Sequence, residues 1–225
     1  MIAIIGSGRI GKNVNRHLTQ LKIANKLVSR LGNSESISWQ DFMDNLLTFD
    51  IVINCATLKS VALDELMNRI TSKHYLIHLS SVSVYGDQQW LRPCPINDYG
   101  FRKLKEEETI KSYKRDNLLI IRLANVFGGT PETSPVLELL SKSQLRIQNF
   151  SIDGNNVVRD FVHISHLLNF LALCSYNSTC GVYNFSNGLP VAVKDMLELR
   201  SGLKIDSFEA ADKIDSLLTS SGEPG

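Results

Sequence analysis

Short apolar runs alternate with amphipathic stretches along the first half of the chain. Residues 1–5 are apolar and rich in β-branched side chains, which indicates a buried strand. The apolar residues that follow are spaced as on one face of a helix: Ile10, Val14, Leu18 and Leu21. The chain is therefore predicted to begin with a strand that leads directly into a helix.

The same alternation continues further along the chain. Residues 26–28, 50–56 and 75–81 are apolar runs that predict strands, and residues 61–70 form a helical stretch before the last of them. This order predicts an α/β fold with a Rossmann-type, doubly wound parallel sheet, whose ligand lies at the carboxyl ends of the strands. We expect residues 1–128 to form this dinucleotide-binding domain and residues 129–225 a small substrate-binding lobe, with a strand at 182–185 returning to the sheet.

The composition adds exclusions to this picture. Of the 225 residues, 43% are hydrophobic and 21% charged, and the net charge of +1 gives no reason to expect a nucleic-acid or membrane partner. No apolar run is long enough to span a bilayer and the amino terminus lacks signal-peptide features, so we expect a cytoplasmic protein. The cysteines are scattered, and His163 and His166 lack an evident third ligand, so no metal site is predicted.

The first candidate chemistry lies in the glycine motif between the first strand and helix. Its residues run from Gly6 through Gly8, Arg9 and Ile10 to Gly11. The first glycine allows a sharp turn, the second lets a pyrophosphate approach the backbone, and the third lets the helix pack on its strand. The amides at the helix start would then hold the phosphates, and small residues such as Ala56 would leave room for the cofactor. The alternative is a tight turn without a ligand.

The end of the second strand bears on the choice of cofactor. An acidic residue there would bind the ribose hydroxyls of NAD, but the chain has Ser29 and Arg30, with Arg9 nearby in the glycine motif. Hydroxyl and guanidinium groups suit a 2′-phosphate, so NADP(H) is favoured and NAD(H) is the alternative. Arg30 as a solvated surface charge is the other interpretation.

A second candidate chemistry lies in the middle of the chain. Tyr99 and Lys103 are four residues apart, which places them on one face of a helix. An adjacent ammonium, together with a bound cationic nicotinamide, would lower the pKa of the phenol and let Tyr99 exchange a proton with a substrate oxygen. Ser81, at the end of a predicted strand, would hold the same oxygen. The alternative is an amphipathic surface helix, and residues 106–108, three glutamates, are interpreted as its solvated face.

Several ordered segments resemble the extended short-chain dehydrogenases, the NAD-dependent epimerase/dehydratase family acting mainly on nucleotide sugars. Residues 79–87 are similar to its Ser-Ser-x-x-Val-Tyr-Gly segment, and residues 99–103 to its Tyr-Gly-x-x-Lys. Further similarities cover residues 122–128, 153–154, 159–164 and 181–186. The resemblance spans nearly the whole chain, although the chain is short for the family.

The resemblance implies a catalytic group of Ser81, Tyr99 and Lys103, and contacts of Asn125 and Arg159 with a substrate diphosphate. An internal ion pair between Arg159 and its neighbour Asp160 is the alternative for that segment. The resemblance also implies a homodimer. At the positions where the family's 4,6-dehydratases carry an Asp-Glu pair, this chain has Val82 and Ser83, so that reaction is not expected.

Together these observations favour an NAD(P)-dependent oxidoreductase that transfers hydride to or from a carbonyl or hydroxyl carbon. A nucleotide-sugar reductase is the first expectation. A reductase exchanges NADPH at each turnover, and the Ser29–Arg30 pair suits NADPH. A nucleotide-sugar epimerase with tightly held NAD is the alternative. A non-catalytic dinucleotide-sensing or scaffold protein is the alternative from another class.

Overall fold

The protein's computed structural model describes residues 1–86, 92–129, 158–189 and 191–192. The motif residues at 153–154 lie outside the described residues. For Arg159 the backbone is described and the side chain is not.

Twelve strands and five α-helices lie in the described ranges. The strands are β1 Ile2–Ile5, β2 Asn25–Ser29, β3 Leu31–Asn33, β4 Ser36–Ser38, β5 Ile51–Asn54, β6 Tyr75–Ser81, β7 Leu118–Leu123, β8 Asn125–Phe127, β9 Val158–Arg159, β10 Phe161–His163, β11 Gly181–Phe185 and β12 Val191–Ala192. The helices are α1 Arg9–Gln20, α2 Trp39–Asp44, α3 Ser60–Arg69, α4 Asp98–Ser112 and α5 Ile164–Asn177. No described helix is long and apolar enough to cross a membrane.

Eight of the strands form one sheet, in the order β11-β7-β6-β5-β1-β2-β4-β3. The neighbouring strands from β7 across to β4 are parallel, and β3 is antiparallel to β4. The prediction of a Rossmann-type parallel α/β sheet is confirmed. Central strands of such a sheet are covered on both faces, which is why β6 is buried along its whole length.

The connection between β2 and β4 is unusually short. Parallel neighbours normally need a crossover of a dozen or more residues, but here residues 30–35 suffice and contain no helix. The chain instead forms β3 along the outer edge of β4 and turns back, with Gly32 at a φ of +73°. Arg30 therefore lies at the bend that leads into a tight edge hairpin, which the sequence pattern did not predict.

The chain divides into two compact units. The first comprises Met1–Leu123 and Leu168–Asn184, and carries nearly all of the eight-stranded sheet. The second comprises Ala124–Leu167 and Phe185–Gly225. In its described part, β8 pairs with β10 in parallel and β9 pairs with β12 in antiparallel fashion.

Candidate active site

The glycine turn connects β1 to α1 and has the geometry of a phosphate cradle. Gly6 has a φ of +105°, and a Cβ atom on it would lie 3.0 Å from Ala56 Cβ. A Cβ atom on Gly11 would overlap the Gly6 carbonyl oxygen, so only glycine lets α1 pack this closely on the turn. Gly8, in contrast, has open space where a Cβ atom would stand, and no side chain caps the helix start. The turn therefore leaves backbone amides and free space on one side, as a pyrophosphate requires.

Two further residues of the motif open α1. Arg9 and Ile10 are its first two residues and are partly buried, so their backbone amides belong to the uncapped first turn. Ala56 follows β5, and its backbone amide donates to Asn54 Oδ1 at 3.1 Å. The predicted phosphate-binding residues therefore meet at the carboxyl ends of the neighbouring strands β1 and β5.

The Ser29 hydroxyl at the end of β2 is engaged inside the edge hairpin. It lies 2.8 Å from Ser36 Oγ and accepts from the Gly32 amide at 3.1 Å. Ser36 Oγ in turn donates its own proton to Asn33 Oδ1 at 2.9 Å, so the proton between the two serines comes from Ser29. Ser29 thus has no proton left to donate to a phosphate. Arg30 is exposed and makes no hydrogen bond or ion pair with the rest of the described chain.

Ser81 and Tyr99 meet at the end of β6. The Tyr99 hydroxyl interacts with the Ser81 side chain, and Ser81 Oγ donates to Ser83 Oγ at 3.0 Å. Tyr99 reaches this position because α4 begins against the short helical turn at Val82–Tyr85. A Cβ atom on Gly100 would overlap the Ser83 carbonyl oxygen, and Asn97 caps the helix by accepting from the Gly100 amide.

The pKa of Tyr99 departs from the expectation. Burial raises it above the ordinary value of a phenol, the bond to Ser81 opposes this, and the charge of Glu106 adds to the increase. Lys103, whose ammonium is paired with Glu106, does not offset this increase in the protein alone. The predicted lowering, which included a bound nicotinamide, stays a prediction. In this environment the phenol stays protonated at neutral pH.

Lys103 is buried and bound to Glu106. Its Nζ donates to Glu106 Oε2 at 2.9 Å and to the Leu79 carbonyl oxygen at 3.1 Å. Two of its three N–H donors are therefore used. Burial alone would raise the pKa of Glu106, but His78 and Lys103 outweigh it and the net shift is downward. Glu106 is consequently a buried carboxylate anion beside the buried ammonium.

His78 and Asn54 extend this cluster towards the glycine turn. The two residues are register partners on β5 and β6, and Asn54 Nδ2 lies 3.1 Å from His78 Nδ1. Because an amide nitrogen can only donate, Nδ1 accepts and the ring proton is on Nε2, which lies 3.4 Å from Glu106 Oε2. Burial lowers the pKa of His78, so the ring is neutral.

Asn125 lies in the second unit and is bound within it. Its Nδ2 donates to the Asp160 carbonyl oxygen at 3.1 Å, and its backbone amide donates to the same oxygen at 3.0 Å. The Asp160 carboxylate accepts from the backbone amides of Asn187 and Gly188. Within the described residues, one N–H of the Asn125 side-chain amide has no partner. Arg159 precedes this corner in β9, and its side chain lies outside the described atoms.

The sequence from residue 52 to residue 184 matches the model of the NAD dependent epimerase/dehydratase family. This stretch is more than half of the chain. The chain belongs to this family. It is therefore an enzyme of the short-chain dehydrogenase type, as the ordered motifs predicted. No curated protein sequence matches the chain.

Solved structures of other proteins share the fold. MoeE5 in complex with UDP-glucose and NAD aligns with a TM-score of 0.74 at 20% identity, over 100% of this chain and 94% of that one. The NAD-dependent NDP-hexosamine 5,6-dehydratase TunA gives 0.70 at 21% identity, over 88% and 79% of the two chains. UDP-N-acetylglucosamine 4-epimerase from Bacillus cereus gives 0.65 at 17% identity, over 95% and 91%.

The glutamate run of this family member was misinterpreted from the sequence. A solvated face was predicted for residues 106–108, but Glu106 and Glu107 are buried and only Glu108 is exposed. The spacing of Glu106 and Glu107 from Ile110 is the feature that would have indicated their burial. The buried residues of α4 recur at Lys103, Glu106, Glu107 and Ile110, which is the spacing of a core-facing helical stripe.

Glu107 is held by a complete set of donors. It accepts from Arg122 Nε at 2.9 Å and Nη2 at 2.7 Å, from Ser80 Oγ at 2.6 Å, and from Lys111 Nζ at 3.0 Å. Arg122 Nη1 donates to Tyr85 Oη at 2.6 Å. This network ties α4 to β6 and β7, and it fixes the helix that carries Tyr99.

Proposed function

We propose that the chain transfers hydride between NAD(H) and a carbonyl or hydroxyl carbon of a nucleotide-linked sugar. The observation that carries the proposal is the position of Tyr99 beside Ser81 at the carboxyl end of β6. The glycine cradle and Ala56 lie at the same edge, after the adjacent parallel strands β1 and β5. A proton-transfer pair beside a dinucleotide cradle is the arrangement that hydride chemistry at a carbonyl requires.

The residues divide the work as follows. Tyr99 donates its proton to the oxygen of the carbonyl carbon that accepts hydride. Ser81 holds that oxygen in place once its hydroxyl turns from Ser83 to the substrate. The remaining N–H donor of Lys103 binds the ribose next to the nicotinamide. The bound dinucleotide supplies or accepts the hydride. A raised pKa keeps Tyr99 protonated before the step, which suits the reductive direction.

NAD(H) replaces NADP(H) as the favoured cofactor. The case for a 2′-phosphate rested on Ser29, Arg9 and Arg30, and the Ser29 proton is committed to Ser36. The two arginines remain. The relatives MoeE5 and TunA, described as an NAD complex and an NAD-dependent enzyme, are in accord with this choice.

A nucleotide sugar is the proposed substrate class. The family membership supports it, and MoeE5 was solved with UDP-glucose. The residues proposed to contact the diphosphate are Asn125, with one amide N–H unused among the described residues, and Arg159. A 4,6-dehydratase reaction is not proposed, because Val82 and Ser83 provide no acid to protonate a leaving hydroxyl.

The test combines binding and turnover. NAD⁺, NADH and NADPH are titrated into the purified protein by calorimetry, and UDP-glucose is then incubated with the protein and NAD⁺. Conversion to an epimer without net NADH supports the epimerase alternative, and net NADH formation supports a reductase running in reverse. A Tyr99→Phe variant should keep cofactor binding and lose at least about 100-fold in turnover.

Two outcomes would contradict the proposal. Wild-type protein that binds none of the three dinucleotides would exclude dinucleotide chemistry. Wild-type protein that binds NAD⁺ but turns over no nucleotide sugar from a panel, with Tyr99→Phe indistinguishable from it, would favour the non-catalytic sensing or scaffold alternative.

A further inference from the structure

The ion pair between Lys103 and Glu106 is buried and isolated from water. Lys103 is 4% exposed and Glu106 5%, and 2.9 Å separates Nζ from Oε2. In such a place the field of each charge is weakly screened, so one unit charge matters over a longer distance than at the surface. The sum of the two charges therefore affects other groups and ligands in the site.

Three other titratable groups packed here are neutral. His78 is an uncharged imidazole, because its Nδ1 accepts from Asn54 and burial lowers its pKa. Burial raises the pKa of the Cys55 thiol, at the end of β5, to about 12, and Tyr99 stays protonated. Glu107 belongs to a separate ion cluster with Arg122 and the exposed Lys111. Lys103 and Glu106 thus sum to zero beside the proton-transfer pair.

Hydrogen bonds lead from the cofactor cradle to His78, which contacts this pair. The Ala56 amide donates to Asn54 and Asn54 donates to His78, whose Nε2 lies 3.4 Å from Glu106 Oε2 without a hydrogen bond. Ala56 is the residue against which Gly6 packs. Glu106 Oε1 has no hydrogen-bond partner in the described part of the chain. No further donor on that oxygen therefore offsets the negative charge of Glu106.

We propose that Glu106 is a charge-balancing positioning residue, which offsets Lys103 beside the nicotinamide site and so lets the protein hold oxidised cofactor. This rests on the proposed NAD(H) function. The nicotinamide ring of NAD⁺ carries a positive charge that NADH lacks. An unbalanced Lys103 ammonium would repel the oxidised ring and leave the reduced ring unaffected, whereas the Lys103–Glu106 pair is neutral towards both.

The measured quantity is the ratio of the Kd of NAD⁺ to the Kd of NADH, determined by calorimetry at pH 6.5. In Glu106→Gln the ratio should rise about tenfold, as expected for one unit charge at roughly 10 Å and an effective dielectric constant near 20. A tenfold change corresponds to about 30 mV in the two-electron potential of the bound cofactor. In the double variant Lys103→Met/Glu106→Gln the ratio should return to within about threefold of wild type.

The control is Glu108→Gln, which removes an exposed charge from the same helix and should leave the ratio unchanged. If Glu106→Gln does not fold, the test is Lys103→Met at pH 8, where the Glu106 carboxylate is left without its cation. That carboxylate should attract the oxidised ring and so lower the ratio of the Kd of NAD⁺ to the Kd of NADH.

A purely structural role for Glu106 would weaken both cofactors equally. An unchanged ratio in Glu106→Gln, or a ratio that rises further in the double variant, overturns the proposal while NAD(H) binding by wild type still stands. Failure of wild type to bind either cofactor overturns the proposed function itself.

Discussion

Two consecutive glutamates of α4 are both buried, yet the protein holds them differently. Glu107 accepts four hydrogen bonds and contacts two cations. Glu106 has one cation, a long contact to His78 and an oxygen without a partner in the described residues. All the acceptor positions of Glu107 are used in bonds that hold helix and sheet together. Glu106 keeps an unused acceptor oxygen and lies next to Ser81 and Tyr99.

The same difference separates the two ends of the expected cofactor site. At the glycine turn, Gly8 leaves open space and uncapped amides. At the end of β2, the Ser29 proton is already used within the hairpin. A polar residue at the right place in the sequence is a ligand only if the fold leaves a donor free, because a bond already made inside the protein must be broken first.

Breaking the Glu107 network should produce the largest effect. Arg122→Met leaves Glu107 buried with its bidentate partner gone, which should cost about 3–5 kcal/mol of unfolding free energy. Urea denaturation followed by circular dichroism measures this. The exposed Arg102→Met in α4 is the control and should change stability by less than about 0.5 kcal/mol. A loss below about 1 kcal/mol in Arg122→Met would mean that the network does not hold the fold.

Acid should weaken the protein through the same glutamates. The net pKa shifts of Glu106 and Glu107 are downward, with His78 and Lys103 outweighing burial for the first and Arg122 chiefly for the second. Their stabilisation is therefore complete above the ordinary glutamate pKa of 4.5 and is lost as pH falls through the lower folded values. Unfolding free energies between pH 7 and pH 3 should show it. In the double variant Arg122→Met/Glu107→Gln, the unfolding free energy should fall less steeply with pH below 4.5, by up to about 1.4 kcal/mol per pH unit. An unchanged slope would contradict the assignment of this acid sensitivity to Glu107.

Removing the Ser29 hydroxyl should have the smallest effect. Ser29→Ala loses the hairpin bonds to Ser36 and Gly32, at a cost of about 1 kcal/mol in stability. The relative affinities for NADPH and NADH should stay the same, because Ser29 has no proton to give a phosphate. A selective loss of NADPH binding in Ser29→Ala would restore the 2′-phosphate interpretation.

The parallel sheet and the glycine turn could be predicted because their signals are local. Apolar runs mark β1, β5 and β6, and a glycine motif between a strand and a helix defines its own turn. The Tyr99–Lys103 spacing likewise predicted one helical face, and Ser81 falls at the end of its strand as expected.

The hairpin and the buried charges could not be predicted in the same way. Glu107 is buried because Arg122, on another element fifteen residues further along the chain, meets it. Ser29 is committed as a donor because Ser36 already donates its own proton to Asn33, and no spacing rule reveals this chain of hydrogen bonds. His78 within an apolar strand was the one visible hint of a polar cluster, since an unpartnered histidine is costly at a fully buried position.

Whether Gly8 lies against a dinucleotide is decided most directly by calorimetric titration of NAD⁺ into wild type and Gly8→Val. The φ of −75° at Gly8 is allowed for valine and no atom lies within 4 Å of the added Cβ, so the variant should fold with unchanged Tm. We predict that wild type binds NAD⁺ and that Gly8→Val weakens binding at least about 100-fold, since the side chain fills the space for the pyrophosphate. Equal binding by both proteins, or no binding by wild type, would contradict the assignment of this turn as the cofactor site.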